Sequence, residues 1–425
     1  MRLIPLSKES LTNTALILGL GITLAVPHGV AIWPVLFSIA GLIMFSGSFG
    51  KPKNKLPEEI REARKTLSIV AGLAIVGPLS VDLIHSNKIS LDPYIAIILL
   101  PSLAIVVYRN KVVSDTFFTG VALAAILAFG LACYEHFFKG ISRAGGYMNP
   151  IPFGDICVLF SLALIVRASS AWQKRPKFAI FLIIGIVCST YAGLLSGSKG
   201  GWLALTFGLI FGLWKFLTNL RMGRATTLAV VIVVAIGFSF AFPNTAKSRI
   251  IQAYNGAVTW LRTGEISDSS ASVRFEMWKQ GVLALQTSPL IGLSTDDMRA
   301  FREYGIEKGL LDEGLGRHVQ SLHSEFINQL AFRGIIGFSI SMATFFVPFY
   351  IFRQFRTHAD PTIRDLSLIG LLLPLAFLEF GISISIWSTS SFRFVYISWI
   401  VLVLALMAVR LNQITLERER PPSDF

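Results

Sequence analysis

Apolar residues run along most of this chain in long blocks separated by short polar connections. A block of about twenty residues, rising 1.5 Å per residue as a helix, spans about 30 Å, the thickness of a bilayer's hydrocarbon core. Twelve such blocks can be read, near 10–27, 29–48, 66–84, 93–108, 116–137, 152–167, 178–195, 201–218, 226–242, 321–352, 366–388 and 392–409. Lipid supplies no hydrogen bonds, so a spanning segment has to satisfy its own backbone, and the pattern predicts an all-α polytopic membrane protein of about twelve transmembrane helices. One stretch breaks the rhythm. Residues 243–319 hold no spanning block, yet their apolar positions recur at helical spacing, around Ile250, Tyr254, Val258 and Leu261 and again around Phe275, Trp278, Val282 and Leu285. This predicts two helices able to lie on a membrane surface, joined by a Gly-, Ser- and Asp-rich loop from Thr263 to Ala271 and ended by Ser288, Pro289 and Gly292. The predicted division is transmembrane helices 1–9 in residues 1–242, a helical loop in 243–319, helices 10–12 in 320–410 and a tail in 411–425.

Composition supports the membrane reading. The 425 residues are 53% hydrophobic and 15% charged, where soluble domains carry about 25% charge. The first apolar block lacks a small-residue cleavage site, so no cleaved signal peptide is expected. The net charge of +13 sorts by side: with Met1 inside, 23 of the 38 lysines and arginines fall in segments assigned to the inner face and only four in the short outer loops. By the positive-inside rule both termini face the cytoplasm, and 243–319 lies outside. The charge then records orientation, and no nucleic-acid-binding motif accompanies it. Cys133, Cys157 and Cys188 lie in apolar blocks without metal-ligand spacing and read as core residues. No P-loop, zinc or haem signature occurs, so neither metal nor cofactor is expected. The long loop follows the ninth block instead of dividing two six-helix halves, which disfavours a major-facilitator-like transporter, though a transporter stays an alternative.

Three cationic or titratable positions fall on the predicted outer side. His323 opens the run His323-Ser324, nine residues, then Gly334-Ile335-Ile336-Gly337. If helical, His323 and Gly334 share one face about three turns apart, and the glycine would let a second helix approach beneath the imidazole. An imidazole with a reference pKa near 6.5, kept neutral by nearby cations, suits a general base; the alternative is a polar helix start above a packing glycine. Lys199, within Ser196-Gly197-Ser198-Lys199-Gly200-Gly201, offers an amine and exposed amides to an anion, or else is a snorkelling lysine in a flexible turn. Arg274 opens a helix, and its planar fork suits phosphate oxygens; the alternative is a surface arginine paired with Glu276. Glu379 and Arg393 could pair across a short outer turn, and Arg317 and His318 could approach the same cavity. Asp155, Glu135 and His136 sit near outer ends of blocks, where solvated interface roles are common.

The Lys199 turn, the Arg274-x-x-x-Trp278 helix ending in Ser288-Pro289-Leu290-Ile291-Gly292, and the His323-Ser324-x9-Gly334-x-x-Gly337 run together resemble the O-antigen ligase and polymerase superfamily. The resemblance covers about 190–345 by motif and extends by topology over the chain. Within that superfamily the chain is most similar to O-antigen ligases, with twelve spans and one dominant periplasmic loop between the ninth and tenth; polymerases more often have a second large loop. The resemblance implies a GT-C-like architecture in the bacterial inner membrane with its site facing the periplasm. It implies undecaprenyl diphosphate carrying O-antigen as donor, lipid A-core as acceptor and membrane lipids as surroundings. Arg274 and Lys199 would hold the diphosphate while His323 deprotonates the acceptor hydroxyl, inverting the anomeric carbon. The family usually has arginine where this chain has Lys199, and a lysine neutralises phosphate without the bidentate fork.

Overall fold

The computed structural model describes residues 7–46, 56–85, 91–198, 200, 201, 206, 208, 244–267, 269–314 and 321–419. Among these residues there is no strand. The helices are α1 (Lys8–Gly21), α2 (Gly29–Ser46), α3 (Glu58–Ile84), α4 (Asp92–Leu99), α5 (Leu103–Arg109), α6 (Ser114–Cys133), α7 (Pro150–Ala171), α8 (Pro176–Ser196), α9 (Asn244–Thr263), α10 (Ser270–Thr287), α11 (Thr295–Glu307), α12 (Glu325–Arg353), α13 (Pro361–Phe380) and α14 (Ser390–Glu419). Seven of them, α2, α3, α6 with its π-helical extension, α7, α8, α12 and α14, are long and apolar enough to cross a membrane. This is a multi-pass membrane protein. The apolar blocks at 201–218 and 226–242 fall almost wholly outside the described residues, as do Lys199, Arg317 and His318.

Local chemistry sets the helix ends. Asn149 accepts a hydrogen bond from the Ile151 N–H with Pro150 at the first helical position, and Asp360 caps α13 the same way ahead of Pro361. Ser269 and Ser294 cap α10 and α11. The sequence pattern gave no helix at 295–307, because Asp296, Asp297 and the other charges there obscure a period that the Ser294 cap and the buried Met298 reveal.

The bundle is organised around α7, buried almost continuously from Pro152 to Ala171 and packed against α6, α8 and α13. Burying apolar surface does not drive association between helices in lipid, so close contact and interhelical hydrogen bonds matter more. Ser161 of α7 and Ser189 of α8 supply one such bond at 2.7 Å. Trp399 of α14 fills the space between Phe117 and Phe160, with ring centroids 5.0 and 6.0 Å away. By contrast α3 buries only Ile60, Ala63 and Val81 and exposes Ile69, Leu73, Val76 and Leu83, the expected face of a helix bounded by acyl chains. Cys157 lies in the core as expected, whereas Cys133 and Cys188 are partly exposed.

Candidate functional site

Helices α10 and α11 dock on the start of α12 through a small core of Met277, Ala284, Leu293, Met298, Leu322 and Ala331. The turn after α10 then enters the long helix itself. Gly334, with φ +59°, interrupts α12, and the backbone groups freed by the break are bonded by the turn: Ile335 N–H donates to the Pro289 carbonyl at 2.9 Å and Ile336 N–H to Leu290 at 3.3 Å. In return the Leu293 N–H donates to the Ala331 carbonyl at 2.9 Å. A Cβ on Gly334 would stand 2.3 Å from the Leu290 carbonyl, so only glycine permits both the conformation and the approach. The expectation of a second helix packing beneath the imidazole is therefore corrected: what crosses Gly334 is the Ser288–Gly292 turn. The two sequence motifs are halves of one joint.

His323 does not lie on the helix. Ser324 is the N-cap of α12, and His323 precedes it with φ +48°, a left-handed conformation that costs a side-chain-bearing residue about 1 kcal/mol or more. The shared helical face read for His323 and Gly334 is thus absent. The neighbours hold the strained residue in place. Leu322 and Ser324 are buried, the Ser324 hydroxyl and the Glu325 N–H both donate to the Gly381 carbonyl, at 3.3 and 2.7 Å, and the His323 N–H donates to Ser321 Oγ at 3.3 Å. Behind them the buried Glu325 carboxylate accepts from Gln329 (2.8 Å), Ser341 (3.1 Å) and the Trp387 N–H (3.2 Å), tying the start of α12 to the 381–389 turn. The imidazole itself is exposed. Partial desolvation and then the charge of Arg274 hold its pKa below the usual 6.5, favouring the neutral form.

Beside it a cavity of about 250 Å³ opens between the ends of several helices. Arg274, the fifth residue of α10, and Arg143, from the connection between α6 and α7, both line it, with Ser198, Gly200 and Ser383. The Arg274 guanidinium makes no hydrogen bond to any described residue, and Glu276 is committed elsewhere, accepting from Trp260 Nε1 and the Asp312 N–H. Burial and then the like charge of Arg143 lower the Arg274 pKa, with Asp155 opposing; an arginine nevertheless stays charged. His323 does not line the cavity; it is close enough to Arg274 for the two charges to interact. The cavity's position at the N-terminus of α10, an 18-residue helix, adds the positive end of a macrodipole.

Asp155 lies behind Ser198, one of the lining residues. The residue is fully buried, its Oδ1 accepting from the Ser198 hydroxyl at 2.7 Å. The 196–198 turn can pass so close because residue 154 is glycine, whose absent Cβ would stand 2.1 Å from Ser196 Oγ. Glu379 is near enough for the two carboxylates to interact, and neither Asp155 Oδ2 nor Glu379 Oε2 has a hydrogen-bond partner among the described residues. The pairing of Glu379 with Arg393 is overturned: Arg393 Nη2 donates to Asp92 at 2.6 Å and its Nη1 to the Trp387 carbonyl, leaving Glu379 to face Asp155. The solvated role expected for Asp155 and Glu135 is corrected as well. Glu135 is buried and accepts from the Gly145 and Gly146 N–H groups, both at 2.9 Å, while His136 binds the Ile141 carbonyl. Arg143, Glu325 and Ser383 were missed; only the fold brings them to the predicted residues. Arg143 alone had a local signal, a cation beside the turn Gly145-Gly146.

The segment that builds this site has relatives. Residues 184–342 match the family described as O-antigen ligase. The matched segment runs from α8 to the middle of α12 and so includes the Lys199 turn, Arg274, His323 and the Gly334 joint. An uncharacterized protein of Haemophilus influenzae is 22% identical over 355 residues, covering 82% of this chain and 86% of the relative. The exopolysaccharide production protein ExoQ of Rhizobium meliloti is 24% identical over 235 residues, 50% of this chain and 53% of that protein. Residues 184–342 are thus similar to the O-antigen ligase family, and the chain bears a more distant likeness to an exopolysaccharide production protein.

Proposed function

We propose that this chain is an O-antigen ligase, a GT-C-like glycosyltransferase with about twelve spans in the bacterial inner membrane, both termini in the cytoplasm and the 243–319 loop in the periplasm. The donor is undecaprenyl diphosphate carrying O-antigen and the acceptor a sugar hydroxyl of lipid A-core. The single observation that carries this reading is that the family-matched segment brings an exposed, neutral-leaning His323 within electrostatic reach of Arg274, which lines the cavity and makes no hydrogen bond to any described residue. Arg274 binds the donor diphosphate by charge-assisted hydrogen bonds, with Lys199 as a second cation from the adjoining turn. His323 accepts the proton of the acceptor hydroxyl as its oxygen attacks the anomeric carbon. The glycosidic C–O bond breaks on the opposite face, the bonding pair leaves with undecaprenyl diphosphate, and the carbon inverts. Fixed cations stabilise the charge that develops on the leaving group, a task that needs no metal, so activity in EDTA is expected to persist.

A second reading is a polymerase of lipid-linked polysaccharide, favoured by the similarity to ExoQ. A deletion strain separates the two. Loss of a ligase leaves long lipid-linked O-antigen and bare core; loss of a polymerase leaves core bearing a single repeat, an outcome that would overturn the ligase assignment.

A further inference from the structure

We infer that Glu325 is the positioning residue for His323: its buried carboxylate ties the start of α12 to the 381–389 turn and so holds the imidazole in its exposed, left-handed place. The catalytic weight of that placement rests on the reading proposed above, in which the imidazole is the base.

His323 is bracketed by residues bonded to that one turn. On one side Ser321 Oγ bonds Ser385 Oγ at 3.0 Å and accepts the His323 N–H at 3.3 Å. On the other, the Ser324 hydroxyl and the Glu325 N–H share the Gly381 carbonyl. The Glu325 side chain adds a bridge of a different kind, because its two oxygens face different elements. Oε1 accepts from Gln329 Nε2 at 2.8 Å and Ser341 Oγ at 3.1 Å, both on α12, whereas Oε2 accepts from the Trp387 N–H at 3.2 Å, on the turn. Trp387 is a firm anchor. Its Nε1 donates to Ser341 Oγ at 3.1 Å, its carbonyl accepts from Arg393, and its ring centroid lies 6.0 Å from that of Phe345 and 6.1 Å from that of Tyr396. All three groups around the carboxylate are donors, so the ionised form satisfies them and a protonated acid would turn a hydrogen toward a donor. Burial makes such a mismatch costly. The turn runs close against α12, since a Cβ on Gly381 would stand 3.2 Å from Glu325 Cβ. A residue held at positive φ persists only while its surroundings over-determine it, so loosening the bridge lets His323 relax to ordinary backbone angles and carry the imidazole away from Arg274.

Glu325→Gln cuts the bridge selectively: Oε1 keeps its two partners, and the amide NH₂ is set against the Trp387 N–H. The test uses the purified full-length protein in detergent. Diethyl pyrocarbonate modifies the neutral imidazole, so the pH dependence of His323 modification, followed by mass spectrometry of its peptide, gives a titration midpoint. Wild type should titrate below 6.5, and Glu325→Gln should move the midpoint up toward 6.5 as the imidazole leaves the charge of Arg274. Glycosyl transfer should fall about 10- to 100-fold in kcat with the donor KM within about twofold, as for a misplaced base. Gln329→Ala removes one partner of Oε1 without touching the bridge and controls for lost stability; its midpoint should stay at the wild-type value. If Glu325→Gln does not fold, Ser385→Ala cuts the Ser321–Ser385 bond to the same turn and should shift the midpoint in the same direction. An unchanged midpoint in folded Glu325→Gln, or the same shift in Gln329→Ala, would overturn the inference. A shifted midpoint with undiminished transfer would uphold the placement and remove the reading of His323 as the base.

Discussion

The two ends of the helix bundle treat arginine in opposite ways. At one end Arg167 of α7 donates to Asp115 at 2.7 and 3.2 Å and to the fully buried Asp365 at 3.1 Å, lies over the Phe118 ring, and has Ser170 bonding the same Asp365 at 2.7 Å. Arg175 also bonds Asp115. At the other end, twelve residues and about 18 Å up the same helix, Asp155 faces Arg274, which has no hydrogen bond to any described residue, with Arg143 and His323 beside it. A bonded network holds helices together, whereas a guanidinium such as Arg274, with no hydrogen bond to a described residue, is the form that a ligand completes.

Mutation should break the two ends differently. Arg167→Ala leaves Asp365 buried without its cation, a loss of about 3–5 kcal/mol, seen as a large fall in thermal midpoint in detergent. Arg274→Ala should lower glycosyl transfer by about 10²- to 10³-fold with the midpoint almost unchanged, since no hydrogen bond to a described residue is lost. Should Arg274→Ala melt like Arg167→Ala, the contrast between the ends fails. Gly334→Ala strains the joint that carries His323, for about 1–3 kcal/mol of stability, and the accompanying displacement of the imidazole should reduce the rate further than the midpoint alone explains. The smallest effect is in pH. Because the His323 pKa is lowered, the neutral base persists to pH values below 6.5, and the rate falls only as the pH drops through that lowered value. The same sign applies to folding: between the lowered pKa and 6.5 the unfolded chain binds more protons, so this residue's contribution to stability is present above that window and lost as pH falls through it. A rate that falls on the alkaline side of 6.5 would contradict the assigned protonation state.

Much of this was legible in the order of residues, and the rest was not for identifiable reasons. Block lengths disclosed the seven helices long and apolar enough to cross, because hydrocarbon thickness fixes them, whereas the blocks at 10–27, 93–108 and 366–388 form helices that are not among those seven, the second being divided between α4 and α5. The spacing from His323 to Gly334 was visible, but its meaning was not: periodicity assumes one continuous helix, whereas His323 precedes the cap and Gly334 breaks the helix to receive a turn from 290. Partners far apart in sequence were equally hidden. Arg393 finds Asp92 rather than Glu379, and Asp155, taken for an interface residue, is enclosed once the Ser198 turn crosses Gly154. Such contacts depend on which helices become neighbours, which no local pattern states.

The central claim is that the His323 imidazole takes the acceptor's proton. Its most direct test is product formation by purified His323→Ala with donor and acceptor lipids at neutral pH, alongside the thermal midpoint. The imidazole is exposed and makes no hydrogen bond to a described residue, so folding should be preserved while the rate falls by about 10²- to 10⁴-fold. Undiminished product from the folded variant would contradict the account.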